Sequence, residues 1–254
     1  MLRSMYASVS SMLTLQSRQS IITNNLANVN TTGYKSQTLV AKSFDSMLLH
    51  NKDNYKNGVS QVNELGSLNF GVRIDETATN YNQGTLISTD NNTDFAIVGS
   101  GFFEVTDEQN NTYYTRDGSF KISADGYLVT SEGYTVMGEN GSINVGQEDF
   151  TVSEIGEIID KNGDTIDRFS IKSFAQKERI EKVGNNMVKV PDDIESKDFE
   201  GGVKQGFLES SNVNSVEEMV DMIAVMRSYE ANQKILQAHD ELLGKSVNQL
   251  GSLS

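Results

Sequence analysis

The stretch from Ser215 to Leu250 reads SVEEMVDMIAVMRSYEANQKILQAHDELLGKSVNQL and predicts a long helix. Ser215 and Glu218 form a capping box, because the serine hydroxyl can accept a hydrogen bond from the third amide of the helix while the glutamate reaches back to the cap. Hydrophobic residues then recur at a spacing of about 3.5 residues, which is typical of a left-handed coiled-coil seam. The seam positions are Met219, Met222, Met226, Tyr229, Gln233, Leu236, Asp240, Leu243, Val247 and Leu250.

The apolar surface of this helix is wider than a single seam. The flanking hydrophobic residues are Val220, Ile223, Val225 and Ile235. A helix with such a wide apolar face needs more than one neighbour. The polar seam residues Gln233 and Asp240 favour a specified register, which matters most in assemblies.

A second helix is predicted at the N-terminus. The chain contains no glycine or proline from Leu2 to Val29, and its hydrophobic residues again follow helical spacing. These residues are Leu2, Met5, Val9, Met12, Leu15, Ile22, Leu26 and Val29. Gly33 can adopt the left-handed conformation that ends a helix. The pattern alone leaves open whether the two helices pack on each other within one chain or in a bundle between chains.

The middle of the chain has the pattern of short strands. Alternating apolar runs are separated by Asp117-Gly118, Asp125-Gly126 and Glu132-Gly133, and such dipeptides predict hairpins in an antiparallel meander. Asn162-Gly163 predicts a further hairpin, joining residues 157–159 to residues 169–171. Residues 51–71 are rich in Asn, Lys, Ser and Gly and indicate a long loop or an extended excursion.

These patterns predict an α+β protein with a discontinuous architecture. Residues 1–35 and 211–254 are expected to form a terminal helical domain of coiled-coil type for assembly. Residues 36–83 are expected to form an extended, loop-rich connection, and residues 84–210 an antiparallel β-rich outer domain.

Composition restricts the classes of function. The chain has 254 residues, 35 acidic and 21 basic, with a net charge of -14, which argues against binding to nucleic acid. It has no cysteine and therefore no disulfide or thiolate metal site. No apolar run approaches the roughly 18 residues of a membrane span, and the serine-interrupted N-terminus does not have the pattern of a cleaved signal peptide.

Motifs for catalysis or metal binding are not evident in the sequence. The two histidines, His50 and His239, stand far apart, and no zinc or nucleophile motif includes them. Gly99-Ser-Gly101 begins like a dinucleotide fingerprint, but Glu104 stands where the third glycine belongs. Asp90–Asp94 and Asp160–Asp164 resemble the start of a calcium loop and are better interpreted as polar turns. We expect no catalytic residue, no metal and no cofactor.

Three stretches together resemble the bacterial flagellar axial proteins, the rod and hook subunits. The N-terminal motif comprises Asn24, Asn25, Leu26, Ala27, Asn28, Thr32, Gly33, Tyr34 and Lys35. The C-terminal motif comprises Ser211, Asn212, Val213 and Asn214. Between them, residues 101–105, 114–120 and 125–130 are similar to the β domain of basal-body rod proteins. The length of the chain favours a rod subunit, and residues 44–73 resemble the extended segment of the distal rod protein.

The resemblance implies a structural subunit of the flagellar drive shaft and not an enzyme. Proteins of this family leave the cytoplasm through the type III export apparatus without a cleaved signal, and they assemble into a helical tube outside the cytoplasmic membrane. The expected partners are further copies of the chain and other flagellar rod and hook proteins. The subunit-assembly residues are then the apolar seam residues of the two helices.

Alternatives remain at this point. The nearest is a proximal rod protein or another axial subunit of the hook and basal body. Two remoter ones are a secreted β-rich binding module whose helices only dimerise, and a carbohydrate-active enzyme of the cell wall.

Overall fold

A computed structural model describes residues 2–56, 59–146, 149–184, 186–191 and 193–251, which form two long helices and twenty-one short strands. The helices are α1, Leu2–Ala27, and α2, Ser215–Gly251. The strands up to residue 106 are β1 Gln37–Ser43, β2 Met47–Lys56, β3 Val59–Leu68, β4 Val72–Thr79, β5 Leu86–Ser88, β6 Phe95–Val98 and β7 Phe102–Thr106. The next are β8 Thr112–Thr115, β9 Lys121–Ile122, β10 Leu128–Val129, β11 Thr135–Gly138, β12 Gly141–Ser142, β13 Phe150–Val152 and β14 Glu157–Asp160. The last are β15 Thr165–Arg168, β16 Ile171–Phe174, β17 Glu181–Gly184, β18 Met187–Lys189, β19 Ser196–Asp198, β20 Gly202–Gln205 and β21 Phe207–Glu209, with a 3₁₀ turn at Lys177–Arg179.

A helix at each end flanks a β-rich region, so the α+β class is confirmed. α2 begins at Ser215, the residue predicted as its cap, and Glu217 and Glu218 occupy its first turn, where negative charge is favourable. α1 ends at Ala27, two residues before the predicted end. Gly33 has the left-handed conformation (φ 68°), but it lies six residues beyond the helix, at the end of the turns that follow.

The chain divides into two units. The first contains the described parts of residues 1–24, 37–78 and 216–254, and the second contains residues 25–36 and the described parts of residues 79–215. The segment that follows the N-terminal motif therefore groups with the helices, while the motif itself groups with the β strands.

In the first unit the helices are accompanied by four strands. β1 pairs with β4, and β2 pairs with β3 in a hairpin, which the sequence pattern of residues 51–71 does not specify. The start of β4 lies against α1, since the amide of Val72 donates to Ser10 Oγ at 3.3 Å. Gly71 also lies against α1, because a Cβ there would come 2.1 Å from Ser10 Oγ. Residues 71–72 thus tie the strand segment to the N-terminal helix.

The second unit is built on one large sheet. Its main path runs in the order β17, β18, β8, β7, β11, β10, β9, and β16 pairs with β7 and β19. All of the pairs for which register is defined are antiparallel, as the turn dipeptides predict. Smaller sheets are formed by β13–β14–β15, by β6 with β20 and by β5 with β21.

Phenylalanine side chains dominate the core of the second unit. Phe95, Phe103, Phe120 and Phe169 are almost completely buried, and the Phe95–Phe169 and Phe103–Phe120 ring centroids lie 5.1 and 5.2 Å apart. Neighbouring Phe102 points to a second, smaller cluster, as the two-residue period of a strand requires. Burying each of these side chains contributes about 1.5–3 kcal/mol.

The turn dipeptides predict some pairings correctly and others not. Hairpins do form at Asp125-Gly126, between β9 and β10, and at Glu132-Gly133, between β10 and β11. The hairpin predicted at Asp117-Gly118 is wrong, because β8 pairs with β7 and β18 while β9 pairs with β10. The hairpin at Asn162-Gly163 is confirmed, but its second strand is β15 and not residues 169–171. β6 and β7 also do not form consecutive strands of a meander, since β6 pairs with β20.

Gly118 is required by a close approach of two backbone segments, which explains why a hairpin dipeptide occurs there. The amide of Phe95 donates to Gly118 O at 3.0 Å, and a Cβ on Gly118 would lie 1.8 Å from Phe95 O. We expect Gly118→Ala to lower the free energy of unfolding by about 1–3 kcal/mol, as overpacking does. Chemical denaturation measures this loss.

Gly244→Ala is the control for this substitution. No heavy atom lies within 4 Å of a Cβ at Gly244, in α2, so the change should stabilise the helix by about 0.5–1 kcal/mol. Equal unfolding midpoints for Gly118→Ala and the unchanged protein would contradict the assigned contact.

Candidate functional site

The side chains predicted to mediate assembly lie on two different faces of α2. The partly buried face follows Met222, Val225, Tyr229, Leu236 and Leu243. The other seam residues are exposed: Met219, Met226 and Val247, together with the polar Gln233 and Asp240. The side chain of Leu250 lies outside the described residues. One predicted seam is therefore divided between an inner face and an outer face.

Five exposed hydrophobic residues near the start of α2 form what we call the outer stripe. It consists of Val216, Met219, Val220, Ile223 and Met226, whose spacing places them on one side over the first three turns. Val220 is 60% exposed and Met226 48% exposed. Farther along the same side the residues are charged, beginning with Arg227 and Glu230. The outer stripe is thus confined to the N-terminal part of the helix, and the exposed Ile235, Leu242 and Val247 lie on other sides of it.

α1 also has an inner face and an exposed apolar stripe. Most of its predicted residues are partly or fully buried: Met5, Met12, Leu15, Ile22, Leu26 and, beyond the helix, Val29. Val9 is exposed and lies in line with Tyr6 and Leu13, which are 69% and 60% exposed. The side chain of Leu2 lies outside the described residues. Tyr6 and Leu13 were missed because they follow the same period on another side of the helix.

Lys35 of the N-terminal motif binds a buried carboxylate in the second unit, that of Glu209, two residues before the C-terminal motif. Glu209, only 1% exposed, accepts hydrogen bonds from Lys35 Nζ through one oxygen and from Arg116 through the other, the latter at 3.1 Å. The amide of Gly84 also donates to this carboxylate, at 2.8 Å. Lys35 and Arg116 are themselves almost fully buried. We call these three charged residues the Glu209 cluster.

The backbone around the cluster is joined by further hydrogen bonds. The amide of Gly33 donates to Glu209 O at 2.8 Å, and a Cβ on Gly33 would lie 2.5 Å from the amide nitrogen of Asp117. Thr32 Oγ1 and Asp117 Oδ1 are 2.7 Å apart. Burial raises the pKa of Asp117 above its ordinary value, and the hydrogen bond to Thr32 counteracts part of that effect.

Asparagines of the motifs form hydrogen bonds with nearby groups, Asn212 with backbone groups and Asn25 and Asn28 with side chains. Asn212 Oδ1 accepts from the amide of Ser36 at 2.8 Å, and Asn212 Nδ2 donates to Asn80 O at 2.8 Å. The hydroxyl of Tyr34 donates to Asn25 Oδ1 at 3.1 Å. Asn28 Oδ1 accepts from Thr31, and Ser211 Oγ accepts from the amide of Val213. The motif residues Asn24, Ala27 and Asn214 are exposed.

The cluster provides structural anchoring. Burial lowers the pKa of Lys35 below its ordinary value, and the hydrogen bond and charge of Glu209 offset part of this effect. Burial likewise lowers the pKa of Arg116. Charges removed from water in this way are tolerated when they are paired. Glu209 was missed by the sequence analysis because an isolated glutamate at the end of a strand carries no pattern.

Neither of two other kinds of site is found in the part of the chain that the structure covers. Within the described ranges no group of three or more His, Cys, Asp and Glu is arranged to hold a metal ion. In those same ranges neither helix combines the length and apolar character required to cross a membrane.

Three family models match the chain in succession. They are described as "Flagella basal body rod protein" for residues 5–35, "Flagellar hook protein FlgE/F/G D1 domain" for residues 96–197 and "Flagellar basal body rod FlgEFG protein C-terminal" for residues 204–250. The N-terminal motif lies within the first of these matches, and the C-terminal motif and Glu209 lie within the last.

Several known proteins are similar over almost the full length. The chain is 34% identical to the flagellar basal-body rod protein FlgG of Borreliella burgdorferi, with 98% of each chain covered. It is 32% identical to FlgG of Bacillus subtilis, over 98% of this chain and 99% of that one. It is also 28% identical to the flagellar hook-basal body complex protein FlhO of Bacillus subtilis over 100% of both chains.

Replacing the carboxylate at the centre of the cluster tests its anchoring role. We expect Glu209→Gln to lower the free energy of unfolding by about 3–5 kcal/mol, because it leaves two buried cations without their anion. Denaturant unfolding of the full chain measures the loss.

Glu139→Gln is the matched control, since Glu139 pairs with Arg168 at the exposed surface. That change should alter stability by less than about 1 kcal/mol. If both variants unfold at the same denaturant concentration, Glu209 does not have the anchoring role.

Proposed function

The chain belongs to the flagellar basal-body rod protein family, and on this premise we propose that its terminal helices assemble it with further copies into a helical tube. The chain is a structural subunit of the flagellar basal-body rod. The flagellum to which the rod belongs serves motility. The observation that carries the proposal of self-assembly is the outer stripe of α2, an apolar surface whose side chains are about half exposed within one chain.

The inner faces of α1 and α2 support a paired, coiled-coil-like terminal domain. Asn232 Nδ2 donates to Ser11 Oγ at 3.2 Å, which places the two helices side by side at this level. Val225 is 5% exposed, and the other residues of this face of α2 are partly buried. We propose that residues 1–35 and 211–254 act as the assembly domain, with residues 84–210 as its β-rich outer part.

The size of the outer stripe is informative about the assembly. Complete burial of five such side chains would contribute roughly 7–15 kcal/mol, and about half of that is available because they are already half-buried. Loss of translational and rotational freedom costs about 4–15 kcal/mol for each association. A single contact is therefore marginal, and stable association needs several neighbours for each subunit.

Several neighbours for each subunit are available in a helical tube. A contact between different surfaces of identical chains, repeated with a rotation that does not close, produces an open helical filament. Amphipathic helices that bury little apolar surface in isolation gain order when neighbours cover their apolar faces. We propose that both terminal helices gain order in this way on assembly.

The resemblance to flagellar axial proteins supports the rest of the proposal. We place the subunit outside the cytoplasmic membrane, exported by the type III apparatus, with other flagellar rod and hook proteins as partners and without catalytic activity. The relatives named FlgG favour the distal rod position. FlhO, a hook-basal body complex protein, matches over its whole length and supports another axial position as the second candidate.

A charge within the outer stripe tests self-assembly. We expect Met226→Asp to abolish filament formation, because burial of an unpaired carboxylate costs several kcal/mol. The monomer should keep its unfolding midpoint, since this side chain is exposed within one chain. Sedimentation velocity and electron microscopy across a concentration series measure association, and thermal unfolding measures the monomer.

Gln237→Asp is the control, because Gln237 is exposed on the same side of α2 but beyond the stripe. It should assemble as the unchanged chain does. The proposal fails if Met226→Asp still forms filaments, or if it destabilises the monomer as much as the core substitution Phe103→Ala does.

A further inference from the structure

Two of the five side chains of the outer stripe are methionines. Met219 and Met226 are seven positions apart, which is about two helical turns, so they lie on the same side of α2. They are 47% and 48% exposed within one chain. Water and small solutes therefore reach both side chains in the free subunit.

Most other methionines among the described residues are less accessible. Four are partly buried: Met5, Met12, Met137 and Met222. Met187 is 5% exposed and belongs to the core of the second unit. Met47, in β2, is 59% exposed and lies outside the stripe. In the part of the chain that the structure describes, the stripe thus contains most of the exposed methionines.

An exposed thioether is oxidised by hydroperoxides such as hydrogen peroxide. The sulfur attacks one peroxide oxygen, and an S–O bond forms as the O–O bond breaks. The sulfide is oxidised and the peroxide is reduced, and its second oxygen leaves as water with both protons. The product is methionine sulfoxide, a polar and chiral side chain. Because the chain has no cysteine, no thiol of the same molecule competes for the oxidant.

We propose that Met219 and Met226 are sites of oxidation by hydroperoxides, and that their sulfoxides prevent the free subunit from assembling. The inference rests on the proposed function, because it assigns a chemical control to the same outer stripe. It requires no catalytic group and no further binding site, since peroxide reacts directly with the exposed sulfur atoms.

The composition of the stripe makes assembly sensitive to this change. Its other members, Val216, Val220 and Ile223, have no side-chain hydrogen-bond donor for a sulfoxide oxygen. Burying a polar oxygen without a donor is unfavourable. Because a single contact through the stripe is already marginal, a small loss at each contact is sufficient to prevent association.

Assembly and oxidation of the stripe exclude each other. When a helix of a neighbouring subunit covers the stripe, peroxide no longer reaches the sulfur atoms of Met219 and Met226. Subunits that are already assembled keep their methionines, whereas the free subunit is the sensitive form. Oxidation thus stops the addition of new subunits without dismantling those in place.

Peptide mapping by mass spectrometry after treatment with dilute hydrogen peroxide identifies the sites. In the monomer we expect Met219 and Met226 to be oxidised about tenfold or more faster than the buried Met187, whose sulfur is reached only when the structure opens. In filaments both reactions should slow about tenfold or more, for the same reason. Equal rates for Met226 and Met187 in the monomer overturn the assignment of the site, whatever the effect on assembly.

Replacing both sulfur atoms tests the control of assembly. The double variant Met219→Leu and Met226→Leu keeps the stripe apolar, because Leu and Met exchange at nearly constant volume. After peroxide treatment we expect the unchanged chain to associate about tenfold or more weakly, and the double variant to stay within about twofold of its untreated form. Sedimentation velocity measures association, and thermal unfolding measures the monomer.

Met47→Leu is the matched control, because it removes an exposed sulfur atom outside the stripe. It should lose association after peroxide treatment as the unchanged chain does. If the oxidised chain associates normally, or if the double leucine variant also loses association, control through the stripe is wrong.

Met226→Asp, measured alongside, separates this inference from the proposed function. If Met226→Asp abolishes association and oxidation leaves it unchanged, the stripe is the interface and its control by oxidation is wrong. If neither change affects association, assembly through the stripe is wrong and the inference fails with it.

Discussion

The organisation of the second unit, which contains the large sheet, depends on the interactions of the buried Glu209 carboxylate. It binds Lys35 from the segment after the first helix, Arg116 from the end of β8 and the amide of Gly84. Its own backbone carbonyl accepts from Gly33. Segments that are distant in sequence are therefore held at one point, where the chain enters and leaves the unit. A buried ion cluster of this kind gives specificity of arrangement more readily than net stability.

The sequence was most informative about elements whose signals are local. The start of α2 at Ser215 and the turns at Gly126 and Gly133 depend on a few neighbouring residues, and each lies at its predicted place. Asp117-Gly118 has the same local signal as those turns, but a contact with Phe95 decides its structure. Pairings of distant segments, such as β6 with β20, leave no local trace.

For the candidate site, too, the local pattern was predicted from the sequence and the contacts between distant residues were not. Helical spacing identified which apolar residues of α2 share a face, but it does not show which neighbouring element covers that face. Met222 and Met226 are consecutive positions of the predicted seam, yet one lies on the inner face and the other on the outer stripe. The motif residues Lys35 and Asn212 were found through family resemblance, whereas Glu209 became visible only through its contacts.

In the proposed assembly, the outer stripe of α2 is an interface between rod subunits. A near-atomic structure of filaments of the full chain, determined by electron cryomicroscopy, tests this interface directly. We expect Val220, Ile223 and Met226 to pack against a helix of a neighbouring subunit. Filaments in which these side chains face solvent, or are covered by their own chain, would contradict it.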